Sequence, residues 1–311
     1  MINFIFATIV ALFQLNSAQM NALHHPILFF STDNGATWKN GSAGLPDSVQ
    51  IGLGAIAVSK NTMAVSLKRY GIYLFNTTTP KWVSMPTDAR IINANPAALA
   101  FYNNAIYAGT QYAGVFASRD KKTWIPLNKG LTNLTIRRFA EINNRLYACT
   151  NNGLYAFDEL HQQWRLEYGD SAMQVNGAAF YNNSIYIATN KGVFCSRNGK
   201  WSLVLRNKSL HNISADGSTI YAMTYNELFT SQDGGFTWIS SQKGLPPTLY
   251  TFNVIASGGE VFAGQWDGLY RKDGNEWKRY GTGLPANFAL TNMKVYDGGM
   301  VVGGAASSNV K

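Results

Sequence analysis

Residues 98–127 read ALAFYNNAIYAGTQYAGVFASRDKKTWIPL, and four short strands can be marked off within them. Residues 98–102 (ALAFY) make an inner strand A, and residues 105–110 (AIYAGT) make strand B after an Asn103-Asn104 turn. Residues 114–118 (GVFAS) make strand C, and residues 123–127 (TWIPL) make an outer strand D. The signals are short apolar runs bounded by Asn and Gly, which tolerate the positive φ that tight turns require. The same register fits residues 55–85, 136–166, 175–205, 210–240 and 252–280, giving six complete copies.

The tryptophans set the period. Trp38, Trp82, Trp124, Trp164, Trp201, Trp238 and Trp277 are separated by 44, 42, 40, 37, 37 and 39 residues. A four-stranded propeller blade takes about 40–50 residues. The two ends supply complementary halves: residues 26–40 contain only strands C and D, and residues 292–304 only strands A and B. Pairing them closes the ring and removes the open edges that invite aggregation. The expectation is an all-β, seven-bladed β-propeller of four-stranded antiparallel blades, closed by N-terminal C/D strands pairing with C-terminal A/B strands. The periodic tryptophans, Trp38, Trp124 and Trp238 among them, are expected to fill gaps between blades.

Composition agrees with a packed, ordered chain. Of 311 residues 46% are hydrophobic and 13% aromatic, whereas 14% are charged, below the roughly 25% of average soluble domains. Residues 2–13 (INFIFATIVALF) form an apolar run followed by Ser17-Ala18-Gln19, which reads as a signal peptide, residues 1–18, removed to leave one propeller over residues 19–311. Elsewhere no stretch approaches the length of a transmembrane helix, so a secreted or periplasmic monomer is expected. Cys149 and Cys195 lie in strand-like runs of neighbouring copies. They make no disulfide framework, leaving buried thiols or one mutual bond. The four histidines are scattered apart from His24-His25, and neither a metal site nor a cofactor is expected. A net charge of +9 suits anionic partners, but no Lys/Arg run marks a nucleic-acid module.

The turns between strands C and D carry STDNGATW at residues 31–38 and SQDGGFTW at residues 231–238, both Ser-x-Asp-x-Gly-x-x-Trp. Shortened forms are SRDKKTW (118–124), RKDGNEW (271–277) and, without the Asp, SRNGKW (196–201). These turns resemble the Asp-box (BNR-type) repeats of a propeller superfamily that includes sialidases, sortilin-type receptors, xyloglucan hydrolases and photosystem II stability/assembly factor-like proteins. The chain is closest in character to the last group. Fold alone does not choose among such functions. The resemblance implies that the boxes lie on the rim away from the binding face, so Asp33, Asp120, Asp233 and Asp273 are structural rather than catalytic.

The sialidase resemblance implies an arginine triad, a Tyr-Glu nucleophile pair and an acid/base Asp. The Arg-Ile-Pro motif that would carry the first arginine is absent, and the nearest string is Ala89-Arg90-Ile91-Ile92. Arg69, Arg90, Arg137 and Arg138 are candidates for a place near the ring entrance, with no spacing that makes three of them converge, and Asp88, Glu227 and Asp267 are the candidate acids. Glycoside hydrolysis needs two carboxylates facing each other, and no spacing places such a pair. No catalytic residue is therefore assigned, and an enzyme is the second reading.

Aligning the copies puts Ala55, Ala98, Arg138, Gly177, Asn212, Asn253 and Asn292 at the starts of the inner strands, around the axial mouth. The B–C turns on the same face hold Lys68-Arg69-Tyr70, Gln111-Tyr112 and Trp266-Asp267, among others. Trp266 is the one tryptophan outside the periodic set, free either to fold onto its own blade or to offer a stacking platform. Aromatic rings beside Arg and Asn suit recognition of a protein or an acidic glycan. The candidate ligand-binding residues are Arg69, Tyr70, Tyr112, Arg138, Asn212, Asn253, Trp266 and Asp267. The function expected is an exported, non-enzymatic recognition or scaffold propeller, with a sialidase-like glycoside hydrolase or a lectin as the alternative. Deleting residues 290–311 should abolish cooperative folding, because it removes the strands that complete the ring. An unchanged cooperative melt of the monomeric truncation would contradict ring closure by the ends.

Overall fold

A computed structural model describes residues 26–47, 49–60, 62–247 and 251–306. The expected signal peptide, residues 1–18, lies outside the described residues. The chain begins with β1 (Leu28–Ser31) and β2 (Lys39–Asn40), followed by β3 (Ile51–Ser59), β4 (Thr62–Leu67), β5 (Gly71–Asn76) and β6 (Lys81–Met85). A five-residue helix, α1 (Ala89–Asn93), precedes β7 (Pro96–Tyr102), β8 (Ala105–Thr110), β9 (Val115–Ser118) and β10 (Ile125–Pro126). Next come β11 (Ile136–Ile142), β12 (Arg145–Thr150), β13 (Gly153–Asp158), β14 (Gln163–Tyr168), β15 (Val175–Tyr181), β16 (Ser184–Thr189), β17 (Gly192–Arg197) and β18 (Lys200–Arg206). The last ten are β19 (Leu210–Ala215), β20 (Ile220–Thr224), β21 (Leu228–Ser231), β22 (Ile239–Ser240), β23 (Asn253–Ser257), β24 (Glu260–Gly264), β25 (Leu269–Asp273), β26 (Glu276–Tyr280), β27 (Phe288–Tyr296) and β28 (Gly299–Ala306).

Five four-stranded antiparallel sheets stand separately: β11 to β14, β15 to β18, β19 to β22, β23 to β26, and a sheet ordered β2-β1-β28-β27. In the last, Leu28 faces Gly303 and Ser31 faces Met300, so the two ends of the described chain share one sheet. The other eight strands form one sheet, ordered β10-β9-β8-β7-β3-β4-β5-β6. The expectation of seven separate four-stranded blades is thereby corrected: five such blades are present, and the copies beginning at Ala55 and Ala98 are merged. The merger is a parallel bridge between Gly54 and Ala98. Gly52 and Gly54 lack the side chains that would hold the strands apart; a Cβ on Gly54 would come 3.1 Å from the Ala97 carbonyl oxygen. Small residues on both sides let the two inner strands approach to pairing distance.

Most of the outer strands fasten their repeat to the one before it. The indole N–H groups of Trp82, Trp124, Trp164 and Trp277 donate to the carbonyls of Gly41 (2.7 Å), Pro86, Leu127 and Ser241 (2.8 Å each). Those acceptors are the residues immediately after β2, β6, β10 and β22. Backbone bonds reinforce them: Trp82, Trp164 and Trp277 N–H donate to Ala43, Lys129 and Lys243, and Trp38 N–H donates to Thr282. This approach leaves no room in the facing loop. Gly130 has φ +89°, and a Cβ there would collide with the Trp164 carbonyl; Gly44, Gly244 and Gly283 stand in the same relation to Trp82, Trp277 and Trp38. Trp164 is fully buried with Tyr107, Tyr155 and Phe157, side chains contributed by two adjacent repeats.

The Ser-x-Asp-x-Gly-x-x-Trp turns are self-contained. Asp233 accepts the Thr237 N–H (2.9 Å) and hydroxyl (2.6 Å), and the Ser231 hydroxyl donates to Asp233 while accepting the Gly235 N–H. The Thr237 bonds hold the Asp233 carboxyl down to about 2. Trp238 departs from the expected gap-filling role, being only half-buried, and its indole nitrogen meets no acceptor among the described residues. Cys149 and Cys195 are buried free thiols.

Trp164→Ala should therefore lower unfolding free energy by about 3–5 kcal/mol, the usual cost of emptying a buried aromatic site, and Trp238→Ala by less than half of that. Urea unfolding followed by circular dichroism measures both. Equal losses would refute the fastening role assigned to the indole bonds.

Candidate functional site

Five of the inner strands share one irregularity. The pairing register shifts between Pro96 and Ala98 in β7, Ile136 and Arg138 in β11, Val175 and Gly177 in β15, Leu210 and Asn212 in β19, and Leu290 and Asn292 in β27. Each shift is a bulge with one unpaired residue: Ala97, Arg137, Asn176, His211 and Thr291. Bulges re-aim side chains, and the first four of these line a cavity of about 610 Å³. Its wall also includes Gln50 to Leu53, Lys68, Tyr112, Arg138, Asn151 and Tyr225. In these five strands the unpaired residue lies one position before the one that sequence alignment puts at the mouth, because an inserted residue leaves no mark in a hydrophobic pattern.

Two of the expected site residues are brought together there. Tyr112 is 68% exposed in the wall, and Arg138 donates from Nη1 to the Leu53 carbonyl at 2.8 Å. Arg69, in a left-handed conformation at φ 70°, and Tyr70 are exposed in the turn beside Lys68 but are not in the cavity wall. Asn212 and Asn253 are buried. The Asn212 amide donates to the Phe252 carbonyl (2.9 Å) and the Asn253 amide to the Thr291 carbonyl (2.6 Å). With Asn176 to Leu210 (2.6 Å) and Asn292 to Gly52 (2.7 Å), they staple successive inner strands around the axis. Trp266 is half-buried with its ring 5.0 Å from that of Phe252. Asp267 accepts the Tyr270 hydroxyl (2.9 Å) and an Arg279 N–H (2.8 Å).

The candidate acids are engaged elsewhere. Asp88 caps α1 and pairs with Arg90 at 2.7 Å, and Glu227 pairs with Lys208 at 3.3 Å. Among the described residues, no Asp or Glu lines the cavity. Among the described residues no cluster of three His, Cys, Asp or Glu could hold a metal ion.

The cavity wall is cationic. Arg137 donates to two neutral amide oxygens, Asn176 Oδ1 and Asn151 Oδ1 (3.0 Å for the latter). Burial lowers the pKa of Arg137 and pushes Arg138 down to about 10, with Arg137 adding to the effect on Arg138. At about 10, Arg138 stays charged at neutral pH. His211 Nε2 lies 3.1 Å from the Thr224 carbonyl, which assigns the ring proton to that nitrogen. Burial, and then Arg138, push His211 down to about 4, so it is neutral. It packs on Tyr225 with ring centroids 5.5 Å apart.

No family model matches the chain, and no curated protein matches it. Solved structures do. The extracellular domain of BT4673 from B. thetaiotaomicron is 15% identical with a TM-score of 0.64, over 87% of this chain and 40% of that one. YCF48 bound to D1 peptide is 15% identical with a TM-score of 0.57, over 74% of this chain and 79% of that one. PorZ, a surface component of the type-IX secretion system of P. gingivalis, is 12% identical with a TM-score of 0.55, over 84% and 39%. This chain thus spans less than half the length of the BT4673 and PorZ chains. At these identities the likeness is one of fold, and the fold is a β-propeller. Among the described residues no helix is long and apolar enough to cross a membrane.

The neutrality of His211 has a consequence for stability. A free histidine titrates near 6.5, so as pH falls below that value the unfolded chain takes up a proton that the folded chain refuses. Stability is lost from about pH 6.5 down to about pH 4, below which both states are protonated. His211→Gln, which can still donate to Thr224, should lose less stability than wild type over this window. Identical pH profiles in denaturant unfolding would show that His211 is not held neutral.

Proposed function

We propose that this chain is an exported, non-enzymatic recognition or scaffold propeller of the Asp-box type, binding an acidic segment of a protein or glycan in its axial cavity. The observation that carries the reading is the composition of the cavity wall: Lys68, Arg137 and Arg138 without a carboxylate, beside two exposed rings, Tyr112 and Tyr225. Guanidinium groups give charge-assisted bonds to carboxylate or sulfate, and aromatic rings give contact area at low entropic cost. The Ser-x-Asp-x-Gly-x-x-Trp turns support the Asp-box assignment. The BT4673 likeness, with an extracellular domain, supports export after removal of residues 1–18. The YCF48 structure, which holds a peptide, supports a protein ligand. Residues 19–311 then make one propeller, acting as a monomer.

The hydrolase alternative has less behind it. Retaining or inverting chemistry needs two carboxyl groups across the bond to be cleaved, and the cavity offers two arginines and no acid.

Fluorescence titration with labelled polyglutamate and with heparin tests the reading. Tyr112→Ala and Lys68→Ala, both surface changes, should weaken binding of the preferred ligand at least tenfold. Raising salt should weaken wild type as well, as expected for charge-driven recognition. Unchanged affinity in both variants would remove the cavity from consideration, and turnover of fluorogenic sialosides would overturn the non-enzymatic reading.

A further inference from the structure

Below the mouth lies a second, smaller chamber of about 50 Å³. Arg138 and Leu53 belong to both walls, so their hydrogen bond marks the boundary between them. The chamber is otherwise walled by Gly54, Leu99, Phe139, Asn253, Asn292, Met293 and Lys294. Its polar amides are already committed. Asn253 Oδ1 accepts from Asn212 and Asn292 Oδ1 accepts from the Ala55 N–H, while both side-chain NH₂ groups donate to backbone carbonyls. The two cations are not. Arg138 Nη2 is enclosed with no hydrogen-bond partner, and Lys294 makes no ion pair among the described residues. Neither faces a carboxylate in the chamber.

Arg138 Nη2 is enclosed beside Leu99 and Phe139, whereas Lys294 reaches the chamber from an exposed position, so the enclosed guanidinium N–H is the group that gains most from a counter-charge. A water molecule occupies roughly 10–15 Å³ of such space, so the chamber holds a group of a few heavy atoms and nothing larger. We infer that the chamber is an oxyanion site, taking a carboxylate- or phosphate-sized group between Arg138 Nη2 and Lys294 Nζ. The ligand is either a free inorganic anion or the terminal group of whatever occupies the mouth. The site stands whether or not the mouth reading does.

Calorimetric titration of the full chain with inorganic phosphate, and separately with acetate, tests this. At least one anion should bind saturably to wild type and at least tenfold more weakly to Lys294→Met, which keeps the bulk and removes the charge. Nitrogen-detected NMR of Lys294 gives an independent readout: saturating anion should raise its pKa. Tyr112→Ala should leave phosphate binding unchanged even where it abolishes polyglutamate binding, so the two readings fail separately. Competition between phosphate and polyglutamate would place the end of the mouth ligand in the chamber, and independent binding would make the anion a separate ligand; both support the site. Equal affinity of wild type and Lys294→Met, or no saturable binding of either anion, would overturn it.

Discussion

At four of the seams, a hydrogen bond from one outer strand to the loop of the preceding repeat is the contact that holds neighbouring repeats together. Four indole N–H groups make it, each to the residue directly after an outer strand. The bond is short-ranged and directional, so the tryptophan must lie flat across the seam and its backbone must press on the facing loop. That pressure explains why Gly44, Gly130, Gly244 and Gly283 occupy the loops. It also sets the blade period, because the distance along the chain from one seam to the next is the length of one four-stranded excursion. At the inner rim the same task falls to asparagine amides. The propeller is therefore bound by two concentric sets of polar links, with apolar side chains packed between them.

The inner set is incomplete, and the cavity lies where it is missing. Asn176, Asn212, Asn253 and Asn292 link successive strands from β15 round to β3. The corresponding stretch at β7 and β11 carries Ala97 and Arg137 at the bulges. There the strands are held by the Gly54–Ala98 bridge and by Arg138 reaching the Leu53 carbonyl.

Much of the architecture was legible because tryptophan spacing is long-ranged and survives loop variation. The pairing of the ends was legible for the same reason, residues 26–40 and 292–304 being complementary halves. The merger of β3 with β7 was not, since Gly52 and Gly54 are no more conspicuous than the other glycines of the chain. Of the cavity wall, Tyr112 and Arg138 are among the candidates named from sequence; Arg137 was noted only as an arginine near the mouth. His211 and Asn176 were missed because a bulge displaces the register by one residue without altering apolar periodicity. A polar pair at the start of an inner strand, as in Arg137-Arg138 or His211-Asn212, is the only trace it leaves. Asn212 and Asn253 were read as facing a ligand when their amides face a neighbouring strand, a distinction that residue type does not carry.

The sheet shared by β1 and β28 has a bearing on how the chain reaches its fold. Leu28 and Gly303 are partners across some 275 residues of sequence, which makes this the pairing of greatest contact order in the molecule. At ribosomal rates of about 5–20 residues per second, β1 is made roughly 15–55 s before its partner exists. Through that interval Leu28, Phe29 and Phe30, all buried in the finished ring, form an apolar strand with an unpaired edge, the kind of segment that other chains can capture. Completing the propeller is consequently a matter of timing as well as energy, and the nascent chain gives a holdase a defined strand to protect.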